Sequence, residues 1–249
     1  MIQIAIISDI HGNIRALEAV MNDIKERKIE QIFCLGDLVD FAPWGNEVID
    51  RLRNKGIPCI LGNHDERIAF DLPILPISHH SDTEKEARII AINHSKRTIT
   101  EDNKQWLRNL PYNLELTYKV EKQKVKILLV HANLRSNDEY LFIDDISEDM
   151  TEELKKRSID ILAMGHTHIS YIKEMDFSTI INVGSVGRSR EKDRKATYAI
   201  ITIRNKNVEN EIIKVDYNIK DVYEKIKESS IPSFYADFLL NEKSNSDSV

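Results

Sequence analysis

The chain has 249 residues, a formal net charge of −6, and 41% hydrophobic against 31% charged residues, as in a globular protein of ordinary composition. The negative charge argues against a surface built to bind nucleic acid, and no apolar stretch is long enough to cross a membrane. Both cysteines, Cys34 and Cys59, lie in apolar runs and are interpreted as buried hydrophobic residues. Without a recognisable secretory signal, we expect a cytoplasmic protein.

The N-terminal part of the sequence alternates apolar runs with amphipathic segments. Three apolar runs, Ile2–Ile7, Ile32–Leu35 and Ile57–Leu61, predict buried strands. Between them, apolar residues recur at helical spacing, from Ile14 to Ile24 after the capping residue Asn13, and again around Val48, Ile49 and Leu52. This β-α-β-α-β order predicts parallel strands joined by right-handed crossovers.

The alternation of predicted strands and helices is interrupted between residues 66 and 110, and we interpret this segment as a small helical cap insertion. Helices are predicted at Thr83–Arg97 and Glu101–Leu110, ending before Pro111. Later strands are predicted at Asn113–Val120, Lys124–Val130, Ile159–Met164, Thr179–Val183, Ala196–Ile203 and Glu209–Val215. A last helix is predicted at Ile219–Ile226. The prediction is therefore a single domain over residues 1–240, followed by a disordered polar tail over residues 241–249.

Residues that commonly bind metals follow five of these apolar runs directly. The five clusters are Asp9-Ile10-His11, Asp37-Leu38-Val39-Asp40, Asn63-His64-Asp65, His131 alone, and His166-Thr167-His168. Ligands of open α/β sheets collect outside the carboxyl ends of the strands, so five such clusters should converge on one edge. In extended chain, residues two apart face the same side, which lets both members of each Asp-x-His or His-x-His pair reach one centre. By contrast, His79, His80 and His94 lie outside this pattern and are interpreted as ordinary surface or core residues.

Imidazole, carboxylate and amide ligands suit manganese, iron, zinc, nickel or cobalt better than an ion that seeks thiolates. The five clusters, with Gly12 after the first and Gly165 before the last, resemble the motifs of the calcineurin-like metallophosphoesterase superfamily. The segment Asn182–Gly187, with the basic loop behind it, is also similar to small bacterial and archaeal members. The resemblance implies an α/β fold: a four-layer αββα sandwich of two packed mixed sheets.

The resemblance also implies roles for individual residues. One divalent ion would be held by Asp9, His11, Asp37 and His168, and a second by Asp37, Asn63, His131 and His166. His64 would then contact the substrate phosphate or protonate the leaving oxygen, oriented by Asp40. The chemistry implied is hydrolysis of a phosphate ester by a hydroxide that bridges the two ions.

The expected substrate is a small phosphate ester, either a phosphodiester or a phosphorylated or nucleotide-like compound. Arg135 and Arg188 are candidates for binding its phosphate oxygens, because guanidinium forms bidentate pairs with phosphate. The segment Arg188–Lys195 holds five basic and two acidic residues and is open to two interpretations, a solvated loop or a phosphate-facing one.

Two other enzymatic activities stay open, a serine/threonine-type protein phosphatase and a dinucleoside polyphosphate hydrolase. Phe41 stands where protein phosphatases of this superfamily commonly have an arginine, which disfavours the first. A metal-stabilised binding module without turnover is a third alternative. It is disfavoured because no implied ligand, nor His64 or Asp40, is missing.

Overall fold

A computed structural model describes residues 1–75, 81–205 and 207–240. The strands are β1 Ile2–Ile7, β2 Gln31–Cys34, β3 Asn113–Val120, β4 Gln123–Val130, β5 Ile161–Met164, β6 Tyr171–Glu174, β7 Thr179–Asn182, β8 Ala196–Arg204 and β9 Asn207–Val215. The α-helices are α1 Ile14–Glu26, α2 Gly45–Asn54, α3 Asn63–Ala69, α4 Asp82–Thr98, α5 Glu101–Arg108, α6 Glu148–Arg157, α7 Ile219–Glu228 and α8 Phe234–Leu239. Among the described residues, every helix is too short or too polar to span a bilayer.

The strands form two sheets, each mixing parallel and antiparallel pairs. A four-stranded sheet has the order β2-β1-β8-β9, in which β1 runs parallel to β2 and antiparallel to β8. A five-stranded sheet has the order β3-β4-β5-β7-β6, with a parallel centre and antiparallel edges. The predicted pair of mixed sheets is confirmed.

Alternating residues of the central strands separate two apolar layers. Ile4 and Ile6 of β1 face the space between the sheets, where they share a buried cluster with Ile127 of β4. The intervening residues of β1 pack with α1 and α2, and those of β4 pack with α6. Helices therefore cover the outer face of each sheet, which confirms the four-layer αββα sandwich.

The predicted third strand, Ile57–Leu61, is wrong in extent. Only a single parallel bridge, between Cys34 and Cys59, joins this segment to β2. Pro58 has no N–H to continue a ladder, although its carbonyl accepts a hydrogen bond from Cys34. The segment still runs parallel to β2, so the residues that follow it reach the same edge of the sheet.

The predicted helices in the 66–110 segment are confirmed as α4 and α5. Small residues of α4, Ala87 and Ala91, pack with Val222 of α7 and Tyr235 of α8 in a third apolar cluster that includes Phe41. The C-terminal helices are thereby attached next to the Asp37–Asp40 loop. The description of 66–110 as a cap insertion in one domain stays a prediction. His79, His80 and the predicted tail 241–249 lie outside the described residues.

Candidate metal centre

The predicted ligands stand in loops that leave the carboxyl ends of the strands. Asp9 follows β1, Asp37 follows β2, His131 follows β4 and His166 follows β5. Asn63 begins α3 behind the bridge at Cys59. All of these side chains are buried. The two sheets therefore direct their polar loops to a single point.

The backbone of these loops is strained. Asp9, His11, Asp37, His166 and His168 all have left-handed backbone angles, with φ between 49° and 67°. Each such conformation in a non-glycine residue costs about 1–3 kcal/mol and persists only where the surroundings enforce it. Five of the seven predicted ligands therefore share this unusual conformation.

Four ligands form a first cluster. The ligand atoms of Asp9, His11, Asp37 and His168 all lie within 4.8 Å of one another. The Nε2 atoms of His11 and His168 are 3.0 Å apart, and Asp9 Oδ1 is 3.1 Å from His168 Nε2. Two imidazole nitrogens and a carboxylate facing one point can coordinate a cation.

A second cluster shares Asp37 with the first. The ligand atoms of Asp37, His131 and His166 also lie within 4.8 Å of one another. Asn63 joins them, since its Oδ1 is 3.0 Å from His131 Nε2. The oxygen Asp37 Oδ2 lies 3.4 Å from His131 Nε2 and 3.7 Å from His11 Nε2 of the first cluster. This single oxygen therefore stands between the two clusters.

Each of the two ligand carboxylates has one oxygen bound by the protein and one left without a partner. Asp9 Oδ2 accepts hydrogen bonds from the Ser8 hydroxyl and the His166 backbone N–H, whereas its Oδ1 has none. Asp37 Oδ1 accepts the His64 backbone N–H, whereas its Oδ2 has none. An unsatisfied buried carboxylate oxygen is costly unless a cation binds it. The donor set therefore fits divalent metal ions.

Three of the histidines are held by backbone carbonyls. Nδ1 lies 3.0 Å from the Val39 oxygen in His11, 2.8 Å from the Leu35 oxygen in His131, and 2.9 Å from the Arg188 oxygen in His168. A hydrogen bond at Nδ1 fixes the tautomer and turns the lone pair of Nε2 toward the centre. The metal-ligating form of each ring is thus set by the fold.

The electrostatics favour ionised carboxylates and mostly neutral imidazoles. Burial alone would raise the pKa of Asp37, but the His131 and His64 rings hold it well below its ordinary range. Burial lowers the pKa of His11 to about 3 and that of His166 to about 4. His131 is the exception, because Asp37 outweighs burial and raises its pKa to about 10. A cation at this position would compete with that proton.

His64 lies beside the clusters without belonging to either of them. Its Nδ1 is 2.6 Å from Asp40 Oδ2, and its ring centroid lies 5.1 Å from that of His11. Asp40 is fully buried, whereas the His64 side chain is 12% exposed. An imidazole held at one nitrogen by a buried carboxylate is an arrangement suited to proton transfer at the other.

Asp65, which follows His64 directly, ties two ligand loops together. One carboxylate oxygen accepts the Leu38 N–H and the other accepts the Gly62 N–H. These two donors adjoin Asp37 and Asn63 respectively. Burial and the neighbouring Asp37 raise the pKa of Asp65 to about 8. Its role in the structure is therefore to hold the loops in register.

The structure separates the two predicted substrate arginines. The Arg188 guanidinium lies over the ring of Phe41, 4.7 Å from its centroid, and Phe41 in turn contacts His11 and His64. Arg135 is exposed in the loop behind His131, and no contact within the described residues joins its side chain to the ligands. Arg188 is thus brought to the site and Arg135 is not.

Sequence reasoning missed several side chains around the centre. Tyr140 stacks on His166 with centroids 4.6 Å apart, and Tyr235 of α8 stacks on Phe41 at the same distance. Neither aromatic residue stands in a motif, so no local signal identifies it.

Arg67 was also missed. It follows His64 by three residues on α3, and residues at this spacing lie on the same face of a helix, so predicting this short helix would have identified Arg67.

Comparison with known proteins agrees with the site. A family model of the calcineurin-like phosphoesterase superfamily domain matches residues 2–206. The uncharacterized protein MJ0912 of Methanocaldococcus jannaschii is 33% identical over 95% of this chain and 97% of its own. A metallophosphoesterase from Sphaerobacter thermophilus has a similar fold, with a TM-score of 0.75 and 24% identity over 97% of this chain and 99% of its own. The hypothetical protein PH1004 from Pyrococcus horikoshii also has a similar fold, with a TM-score of 0.77 and 21% identity over 96% of this chain and 98% of its own.

Proposed function

Because the chain belongs to the calcineurin-like phosphoesterase superfamily, we propose that it hydrolyses phosphate esters with the help of two divalent metal ions. The observation that carries the proposal is the unpartnered oxygen of Asp37, which stands between two clusters of buried ligands. A single ion would leave one cluster of imidazoles and amide without a function.

The first ion would be held by Asp9, His11, Asp37 and His168, and the second by Asp37, Asn63, His131 and His166. Nitrogen and oxygen donors of this kind suit manganese, iron, zinc, nickel or cobalt. When bound, the pair of ions supplies an activated water and stabilises negative charge on the phosphoryl oxygens. The protein's own part is to fix the ligands and to exclude bulk water from the buried centre.

We assign His64 the role of proton donor to the leaving oxygen, acting from Nε2 while Asp40 holds Nδ1. Burial lowers the pKa of His64 to about 4, against the opposing effect of Asp37 and Asp40. Asp40 at Nδ1 favours the protonated ring, and a bound phosphate adds negative charge beside it, so both oppose this lowering. His64 is thereby placed to give a proton to the leaving oxygen.

The substrate is a small phosphorylated molecule, either a phosphodiester or a nucleotide-like compound. Arg188 supplies a cation for one of its phosphate oxygens, next to Phe41 and the first cluster. A binding module without turnover would have no need for the His64–Asp40 pair.

A metal-supplemented substrate screen tests the proposal. Purified protein would be stripped with chelator, reloaded with manganese, nickel, cobalt, zinc or iron, and assayed on aryl phosphomonoesters, aryl phosphodiesters and nucleotides. Release of product from at least one class, at a rate that depends on the added metal, is expected. Absence of metal-dependent release from all of them would contradict the proposal.

A further inference from the structure

Arginine side chains from three segments of the chain surround His64 and the ligand clusters. Arg67 lies on α3, Arg88 on α4, and Arg188 with Arg190 on the loop between β7 and β8; these four residues are called the arginine rim. Among residues 1–75, 81–205 and 207–240, no carboxylate forms an ion pair with any of them. The chain nevertheless carries a net charge of −6.

Arg188 is held by aromatic rings instead of by an acid. Its guanidinium lies 4.4 Å from the ring centroid of Phe238 and 5.5 Å from that of Tyr235, in addition to its contact with Phe41. Its Nε is buried and has no hydrogen-bond partner. Cation–π contacts position an arginine without neutralising it. Both Tyr235 and Phe238 lie outside the residues that match the family model, so this support belongs to the chain's own C-terminal part.

Arg190 approaches the second cluster through an aromatic ring. It donates a hydrogen bond of 3.3 Å to the Tyr140 hydroxyl and lies 5.3 Å from the centroid of that ring, which stacks on His166. Burial lowers the pKa of Arg188 to about 10, and the next contribution comes from the charge of Arg190. The two arginines are therefore neighbours, one beside each ligand cluster.

Arg67 and Arg88 complete the rim on the side of His64. Arg67 stands one helical turn after His64, and its buried Nη1 has no hydrogen-bond partner. Arg88 is buried and donates a hydrogen bond of 2.9 Å to the Leu75 carbonyl. Burial lowers the pKa of Arg88, and the positive charge of Arg67 lowers it further. Tyr235 and Asp40 act in the opposite direction. The two cations are therefore close enough for the charge of Arg67 to act on Arg88.

Arginines elsewhere in the chain are commonly paired. Ion pairs join Arg15 to Asp221, Arg27 to Asp23, Arg51 to Glu18, Arg53 to Asp50, Arg108 to Glu101, Arg157 to Glu153 and Arg204 to Glu209. Uncompensated cations in partly desolvated positions are destabilising unless an anion binds them. The rim therefore has the composition of an anion-binding site.

The charge balance shows how much anion is needed. With two divalent ions, Asp9 and Asp37 leave the centre at about +2, which the dianion of one phosphate monoester neutralises. The four charges of the rim then remain, and Asp40 offsets only one of them. A single phosphate group is too little anion for the whole site.

We propose that the arginine rim binds a second phosphate group, so that the preferred substrates are small molecules carrying two or more phosphates, such as nucleoside bisphosphates or diphosphates. This inference rests on the proposed function, since it takes the reacting phosphate to lie at the metal centre. Arginine suits the task because its planar fork forms bidentate, charge-assisted hydrogen bonds with phosphate oxygens.

The test compares adenosine 5′-monophosphate with adenosine 3′,5′-bisphosphate, in which the second phosphate is too remote to chelate the same ion. Wild type is expected to have a KM at least tenfold lower for the bisphosphate. Arg67→Gln and Arg190→Gln should each raise that KM by about 10- to 100-fold, as loss of a charge-assisted hydrogen bond would. The same substitutions should raise the KM for the monophosphate by a factor at least fivefold smaller, because the monophosphate has no second phosphate to contact the rim. Equal effects on both substrates overturn the proposal.

Arg204→Gln is the matched control. It removes the same charge from the end of β8 that pairs with the start of β1, at the opposite end of the sheet from the ligands. It should leave both KM values as in wild type, and thermal unfolding should show that all three variants are folded. If wild type hydrolyses neither these nucleotides nor any of the aryl esters with any metal, the proposed function fails.

The rim is then tested by binding alone. Calorimetric titration of the bisphosphate into metal-free wild type and Arg67→Gln should still show weaker binding to the variant. If wild type binds the monophosphate and the bisphosphate with equal affinity, the proposed second phosphate site is wrong, whether or not the protein hydrolyses them. A short 5′-phosphorylated oligonucleotide that competes better than the bisphosphate would overturn the assignment to a small molecule.

Discussion

His64 contacts two carboxylates that have different roles. Its backbone N–H donates to Oδ1 of Asp37, at 2.9 Å, and its side-chain Nδ1 lies 2.6 Å from Oδ2 of Asp40. The first contact fixes the orientation of the carboxylate shared by both ligand clusters. The second fixes the imidazole of His64 itself. His64 therefore orients Asp37 through its backbone, whereas its side chain is oriented by Asp40, so mutations can separate the two proposed functions.

Asp40→Asn should lower kcat by about 10- to 100-fold while metal content stays as in wild type, because a carboxylate that holds and orients a catalytic imidazole typically contributes that much. Asparagine keeps the size of the side chain and tolerates the left-handed φ of 73° at this position. Its amide is neutral, so it can no longer stabilise the imidazolium of His64. Steady-state kinetics together with elemental analysis would check this, and an unaltered kcat would remove Asp40 from the mechanism.

His64→Asn should reduce turnover by roughly 100-fold or more without loss of metal, as expected for removal of a general acid. The His64 backbone N–H remains, so Asp37 keeps its hydrogen bond. The loss should be smaller for an aryl phosphate with a good leaving group, which needs no proton. If the variant instead comes out short of one ion per chain, the division between ligands and proton donor is wrong.

Asp37→Asn should reduce both metal content and turnover, because its Oδ2 stands between the two clusters. The amide carries no negative charge and offers only one oxygen, which weakens both sites at once. Asp23→Asn is a suitable control, since it removes a carboxylate from α1 outside the ligand loops. Full metal occupancy in Asp37→Asn would contradict the shared-ligand assignment.

Exhaustive chelation should abolish activity, and manganese, nickel or cobalt should restore it. The two carboxylate oxygens without hydrogen-bond partners, on Asp9 and Asp37, also predict a change in stability. Reloading should raise the thermal midpoint, because an ion that binds only the folded state stabilises it by mass action. Undiminished turnover after verified metal removal would rule out the mechanism.

Gly36→Ala should destabilise the fold by about 3 kcal/mol or more, because strain and steric overlap add at this position. Its φ is +94°, and a Cβ there would lie 2.3 Å from the Gly62 nitrogen. Gly56→Ala is the matched control, with a φ of +63° but no atom within 4 Å of a Cβ, and should cost about 1–2 kcal/mol. Urea unfolding of both variants measures the difference. Equal losses would show that the close approach of the two ligand loops is not what requires glycine.

The sequence by itself determined most of the strands and helices, because apolar runs and helical periodicity depend on local chemistry, and the resemblance of its motifs implied the layered α/β fold. It also selected the residues that the structure gathers into the ligand clusters, since each stands directly behind an apolar run. Two local features could not be predicted correctly from the sequence pattern. Helix α3, at Asn63–Ala69, is too short to show a period, and the run Ile57–Leu61 is apolar although Pro58 prevents a full strand.

The tertiary structure alone decided the surroundings of the centre. The Arg188 guanidinium rests on Tyr235 and Phe238, residues far away in the chain, and no spacing rule connects a loop after β7 with a helix near the C-terminus. The same holds for Tyr140 on His166. Ligands that leave neighbouring strands must meet at one sheet edge, so their position follows from topology. Side chains that pack around them depend on how separate helices and loops dock, and that is set by the shapes of buried surfaces rather than by local sequence.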